Sequence, residues 1–90
     1  MEYSVIISNS AEKELKSLDH KIADRIGSRL LILEDNPKPP NSKHLKGTTF
    51  YRLRIGDYRV IYNIDNEMRI INILSIGHRK EIYRQLKRFS

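Results

Sequence analysis

Arginine supplies most of the chemistry this sequence offers. Arg52, Arg54 and Arg59 crowd into the run YRLRIGDYRVIY, and SIGHRKEIYR later adds His78, Arg79 and Tyr83. A guanidinium grips a phosphate through paired hydrogen bonds and stabilises the added charge of a phosphoryl-transfer transition state, while a tyrosine ring stacks on a base. Such a set suits RNA better than DNA. His20, His44 and His78 lack H-x-H or H-E-x-x-H spacing, and no glycine-rich phosphate loop is present, so neither a metal site nor a cofactor is expected. The nucleophile available without a metal-bound hydroxide is the 2′-hydroxyl of the RNA itself. Its attack on the adjacent phosphate needs in-line geometry, a base, an acid and neutralisation of charge.

The element that must position the arginines is a hairpin. Gly56-Asp57 separates two alternating segments, and a Gly-X pair in that place predicts a two-residue turn, because glycine supplies the positive φ. The turn sets Ile55 opposite Tyr58, Arg54 opposite Arg59, Leu53 opposite Val60 and Arg52 opposite Ile61. One face is then apolar and the other carries Arg52, Arg54 and Arg59. Arginines set directly across from each other repel, so an anion is the expected missing partner. Beyond the last strand, Arg79 and Tyr83 are one helical turn apart and project together if a helix begins there.

Ninety residues predict one small domain spanning 1–90. There is no cysteine, which excludes disulfides and thiolate metal sites. The start MEYSVIIS lacks the basic and long apolar regions of a signal peptide, and no apolar run is long enough to cross a bilayer. A soluble cytoplasmic protein is expected. The net charge of +6 is unevenly placed: residues 38–59 sum to +5 and residues 78–90 to +4, with the remainder slightly negative. Two basic blocks in a small domain point to nucleic acid, an acidic protein or an anionic membrane surface, against the plainer reading of a basic soluble surface.

In chain order, Glu2 to Ser8 reads as a strand with Tyr3, Val5 and Ile7 on one face. Asn9 and Glu12 resemble a capping box for a short helix carrying Ala11, Leu15 and Leu18, and Asp19 caps a second with the stripe Ile22, Ala23, Ile26, Leu30 and Leu33. Gly27 would let that helix approach the sheet closely. Glu12, Glu14, Asp24, Glu34 and Asp35 read as a solvated helix face. The run NPKPPNS is a loop, and His44 to Gly47 a short turn. After the hairpin, a turn at Asp65 to Glu67 leads to a strand from Met68 to Ile76, with Ile71 and Ile73 on the apolar face and Asn72, Leu74 and Ile76 on the arginine face. Tyr51, Tyr58 and Tyr62 fall on the core side. Lys80 to Phe89 restores helical spacing through Ile82, Leu86 and Phe89. The order β-α-α-β-β-β-α predicts a small α+β domain, an antiparallel-rich curled sheet packed by two N-terminal helices with a C-terminal helix.

The run HLKGTTFYRLRIGDYRVIYNID, a strand, and then SIGHRKEIYR closely resemble the RelE family of toxins from type II toxin–antitoxin pairs, within the RelE/ParE superfamily. The resemblance spans the chain in element order and is most specific over residues 45–83. It implies an mRNA interferase, a metal-independent, ribosome-dependent endoribonuclease that inhibits translation by cutting mRNA in the A site through 2′-hydroxyl attack. It also implies a cognate antitoxin protein, ribosome and mRNA as partners, no membrane partner, and a monomeric toxin outside the toxin–antitoxin complex. By position, Arg52 and Arg54 match the family's two basic strand residues, Arg59 the arginine of G-x-Y-R, Arg79 the arginine after the last strand, and Tyr83 the stacking tyrosine. The family pattern has lysine at both strand positions, and an arginine at 54 is a poor general base. Arg54 then binds phosphate, polarises the 2′-hydroxyl or stabilises its alkoxide, leaving the proton to water, the ribosome or His78.

Alternatives stand beside each of these. His78 at a strand-to-helix junction is equally a cap or packing residue, and Tyr83 could join the buried stripe of Ile82 and Leu86. Arg52, Arg54 and Arg59 could hold an acidic antitoxin segment. Lys43, Lys46, Lys80, Arg84, Lys87 and Arg88 read as diffuse RNA contacts acting through counterion release. For the whole protein, the alternatives are a ParE-like gyrase-binding toxin without nuclease activity, or a catalytically inert antitoxin-binding module.

Overall fold

The computed structural model describes residues 2–86. Its elements run β1 (Ser4–Ile7), α1 (Asn9–Lys16), α2 (His20–Ile32), β2 (Ser42–His44), β3 (Phe50–Ile55), β4 (Tyr58–Asp65), β5 (Ile70–His78) and α3 (Arg79–Leu86). The strands form one five-stranded sheet in the order β1-β5-β4-β3-β2, antiparallel except for the β1–β5 pair. This is the expected α+β architecture with one more strand. No described helix is long and apolar enough to cross a membrane.

The additional strand is β2, which sequence reading leaves as loop and turn. Three residues rich in polar side chains carry no strand signal of their own. They become a strand because β3 offers a free edge, pairing Ser42 with Leu53, Lys43 with Arg52 and His44 with Tyr51. The proline loop before it is pinned from both ends. The Tyr62 hydroxyl donates to the Pro37 carbonyl at 2.6 Å, and the Ser42 amide and hydroxyl both donate to the Pro39 carbonyl.

The hairpin has the predicted register, from Phe50 opposite Asn63 to Ile55 opposite Tyr58. Gly56 takes a φ of +58°, the left-handed conformation that glycine adopts without a steric cost. Leu53, Ile55, Val60, Tyr62, Ile71 and Ile73 face α1 and α2 and close a core with Ala11, Ile26, Leu30 and Leu33. Tyr51 and Tyr58 pack at its margin, so all three hairpin tyrosines lie on the core side.

Ile76 belongs to that core as well, and not to the arginine face. Strict alternation fails because the β4–β5 ladder slips between Ile61 and Tyr62: Ile61 pairs with Ser75, whereas Tyr62 pairs with Ile73. The extra β5 residue at this bulge inverts the facing of everything after it. Returning Ile76 to water would forfeit about 1.5–3 kcal/mol of burial.

Local boundaries also differ. Ser8, not Asn9, caps α1, its hydroxyl accepting from the Ala11 amide at 3.1 Å. Asp19 caps α2 as expected, accepting from Lys21. A Cβ on Gly27 would meet nothing within 4 Å, so this glycine serves no close approach to the sheet. The turn after β4 extends to Arg69, which has a φ of 56°, and β5 therefore begins at Ile70. Asp65 organises it by accepting from the Glu67 and Met68 amides.

Glu14 is not part of a solvated face. Its carboxylate accepts from the Ser75 hydroxyl at 3.3 Å and from the Ile76 amide at 3.0 Å. Strand β1 pairs β5 only as far as Ile73, and Glu14 satisfies backbone that β1 is too short to reach. On the opposite face, α3 contacts β5 and β4. Ile61, Ser75 and Ile82 are each fully buried there, outside the main core. The predicted helix residue Phe89 lies outside the described residues.

Candidate nucleic-acid site at the hairpin tip

Strand alternation and register place the basic residues in two rows across the face opposite α1 and α2. One row runs Lys43, Arg52, Ile61, Ser75, and the next runs Arg54, Arg59, Gly77. Lys43 therefore joins Arg52, Arg54 and Arg59 on one face, a placement that only the unforeseen β2 pairing reveals. Gly77 offers no side chain beside Arg59.

The register sets Arg54 directly opposite Arg59, and the two side chains have different surroundings. Arg59 folds back on the turn, where its Nη1 donates to the carbonyls of Gly56 and Tyr58, both at 2.9 Å. Its Nε is buried with no hydrogen-bond acceptor among the described residues. Arg54 stays exposed. Carbonyls satisfy donors without cancelling a unit charge, so the positive charge survives. Among the described residues, the side chains of Arg54, Arg59 and Arg79 form no ion pair.

The backbone of Arg54 is held by the proline loop. Asn41 accepts the Arg54 amide on its main-chain oxygen at 3.0 Å and donates its side-chain Nδ2 to the Arg54 carbonyl at 2.7 Å. It extends the β2–β3 ladder by one step, and sequence reading passes over it because Asn in a proline loop looks like turn chemistry.

Arg79 opens α3 and is exposed. Its amide donates to the Asp57 carbonyl at 2.8 Å, which fastens the start of α3 to the hairpin turn. His78 sits differently. It pairs with Tyr58, whose ring packs toward the core, so His78 lies on the helix side of the sheet, away from Arg54 and Arg59. Its Nδ1 accepts from the Lys80 amide at 3.2 Å, and its ring meets the Tyr58 ring edge-on with centroids 5.6 Å apart. Tyr83 falls one turn after Arg79 in α3; its side chain, and all of Lys87 and Arg88, lie outside the described residues. Lys80 and Arg84 are exposed on α3, and Lys46 is exposed in the turn before β3.

Family and structural relatives share this arrangement of elements. The family model described as ParE toxin of type II toxin–antitoxin system, parDE, matches residues 5–83. Toxin RelG of Mycobacterium tuberculosis is 32% identical over 93 residues, covering 94% of this chain and 100% of its own length. The chain belongs to the RelE/ParE family of type II toxins.

Solved structures agree with that membership. A chain of the archaeal RelE–RelB complex from Pyrococcus horikoshii is 36% identical, covers 88% of this chain and 97% of its own, and superposes with a TM-score of 0.79. A chain of the toxin–antitoxin complex RelBE2 from Mycobacterium tuberculosis is 27% identical, covers 88% of this chain and 100% of its own, and gives a TM-score of 0.80. This RelE-like toxin thus keeps the family scaffold. Its cations gather where β3, β4 and the start of α3 meet at one hairpin tip.

Proposed function

We propose that this toxin is an mRNA endoribonuclease acting in the ribosomal A site without a metal, by attack of the RNA 2′-hydroxyl on the adjacent phosphate. The observation that carries the reading is the Arg54–Arg59 pair: two cationic residues set directly opposite each other by the hairpin register, with no described ion pair to either. Such an arrangement is unfavourable alone and becomes favourable when an anion binds. A phosphate passing to its pentacovalent state gains the charge that these donors stabilise.

The roles divide by position. Arg59 and Arg79 hold the scissile phosphate and the leaving oxygen; the orphaned Nε of Arg59 supports this, since a buried donor without an acceptor costs about 1–3 kcal/mol. Arg54, exposed and always charged, polarises the 2′-hydroxyl and stabilises its alkoxide, while Arg52 and Lys43 hold the substrate backbone. Tyr83 stacks on a base. His78 faces away from Arg54 and its Nδ1 accepts from the Lys80 amide, so it serves the fold as a cap and leaves proton removal to water or the ribosome. Lys46, Lys80, Arg84, Lys87 and Arg88 add RNA attraction through counterion release.

A single toxin domain over residues 1–90, working in the cytoplasm and monomeric outside its complex, fits this role. The two similar chains from Pyrococcus horikoshii and Mycobacterium tuberculosis sit in toxin–antitoxin complexes. An antitoxin that lays acidic side chains on the Arg54–Arg59 face would silence this one.

Primer extension on a message translated in a purified system tests the reading. New 5′ ends at A-site codons are expected when the toxin is added. A second reading, gyrase binding without nuclease activity, draws on the ParE description of the matching family model. Gyrase cleavage complexes with intact message would establish it in place of the first, and absence of both effects would leave an antitoxin-binding module.

A further inference from the structure

A cleft of about 190 Å³ opens between α2 and the hairpin tip, on the side of the sheet away from Arg54 and Arg59, lined by Ile22, Arg25, Ile26, Ile55, Asp57 and Tyr58. Its floor is apolar, with Ile26 at 0% and Ile55 at 4% exposure. Two side chains of opposite charge stand at its rim.

Arg25 reaches the turn from α2. A Cβ placed on Gly56 would lie 3.3 Å from Nη1, 3.4 Å from Nη2 and 3.5 Å from Cζ, and such even spacing means that the guanidinium turns its flat face to the turn. Glycine is required there for its φ of +58°, and a Cβ would also crowd the Arg25 guanidinium. Asp57 follows immediately in sequence. Although both line one cleft, Arg25 and Asp57 are not paired with each other, and neither side chain bonds any other described residue.

A cation and a carboxylate facing a common apolar gap without touching match a planar group that has acceptors on one edge and donors on another. Guanine has that pattern. Its O6 and N7 accept two bonds from an arginine fork, and its N1–H and N2–H₂ donate to a carboxylate. Adenine places an N6 donor beside N7, which opposes the fork, and neither pyrimidine carries acceptors in the O6/N7 arrangement. The ring of a splayed-out base also suits an apolar floor flanked by Tyr58.

We infer that this cleft is a guanine-binding subsite for single-stranded RNA, with Arg25 reading O6 and N7 and Asp57 reading N1 and N2. The inference rests on the reading of the Arg54–Arg59 face as an RNA site and gives that site a base preference. One turn serves both sides: Gly56 supports Arg25 on the cleft side and its carbonyl takes Arg59, while the Asp57 carbonyl holds the Arg79 amide. An RNA strand leaving the arginine face needs only to round the hairpin tip to enter the cleft. An acidic peptide suits Arg25 but sets its carboxylates against Asp57, so RNA is the favoured occupant.

Backbone amide shifts of the full chain, followed by NMR during titration with 5′-GMP, 5′-AMP, 5′-CMP and 5′-UMP, test this. GMP is expected to move the amides of Arg25, Gly56, Asp57 and Tyr58 with about tenfold higher affinity than the other three. Arg25→Gln should weaken GMP about tenfold, and Asp57→Asn should narrow the preference over AMP without abolishing it, since the Arg25 fork remains. Both side chains are exposed, and an unchanged spectrum of each free variant verifies its fold. Equal responses to all four nucleotides would reveal a phosphate site and overturn the guanine assignment. Shifts confined to Arg54, Arg59 and Arg79 would overturn the cleft and leave the proposed nuclease standing, whereas no shift anywhere would count against both. A cleft that answers only to an acidic peptide is a protein contact, and the inference then fails.

Discussion

Asn41 clamps Arg54 from both sides of its peptide, taking the amide proton at 3.0 Å and giving its own side-chain N–H to the carbonyl at 2.7 Å. A loop residue thereby fixes the strand end from which a proposed catalytic cation projects. Replacing Asn41 with Ala keeps its main-chain acceptor but strips the Arg54 carbonyl of a donor, at a cost of about 1 kcal/mol in stability. Cleavage should fall in kcat, with KM little changed, because Arg54 loses alignment and not charge. The double variant with Arg54→Ala should be no slower than Arg54→Ala alone; an additive loss would show that Asn41 acts elsewhere.

Arg59 and Arg79 are predicted to matter to chemistry and not to folding. Arg59→Ala gives up two hydrogen bonds to turn carbonyls and also relieves repulsion with Arg54, so thermal unfolding should move by no more than about 1 kcal/mol. The Arg79 side chain takes part in none of the described hydrogen bonds, and Arg79→Ala keeps the amide that donates to Asp57. Primer extension should show both variants inactive. Cleavage at the wild-type rate would remove the residue concerned from the site.

His78 is expected to be structural. Its Nδ1 takes the Lys80 amide at the start of α3, so His78→Ala should lower stability by about 1 kcal/mol, as loss of a helix cap does. The single-turnover cleavage rate of His78→Gln should keep the wild-type pH profile between about pH 5 and 8, the window in which histidine titrates. A lost titration step in that variant would restore His78 as the general base.

Tyr62 carries a pH-dependent contribution to stability. Burial raises its phenol pKa above the ordinary 10.0, and the hydroxyl donates to Pro37 at 2.6 Å. A raised folded-state pKa stabilises the fold below pH 10 and ceases to do so as the pH climbs through the folded value, because the unfolded phenol ionises first. Urea unfolding at about pH 8 and about pH 11 should show a marked loss for the wild type. Tyr62→Phe should be weaker by about 1 kcal/mol at the lower pH and lose less on the way up.

Some of this molecule was plain from the sequence and some was not. The hairpin register follows from neighbours a few residues apart, since a two-residue turn with a left-handed glycine leaves the strands one way to pair, and the Arg54–Arg59 opposition comes with it. The α2 stripe was equally legible, because Ile26, Leu30 and Leu33 need only the helical period to share a face. The facing of Ile76 was not, since a bulge is settled by how two strands fit a common core and leaves no local mark.

What the sequence determined alone is the cationic hairpin, its register and the helical faces that bury it, all of which depend on short-range geometry. What only the tertiary structure decided is which distant groups complete that tip: Lys43 through the pairing of β2, Asn41 on Arg54, Glu14 on the β5 edge, and Arg25 laid over Gly56. These contacts join segments that are far apart along the chain. Their partners exist only once the core has brought the segments together, so no pattern of neighbouring residues encodes them.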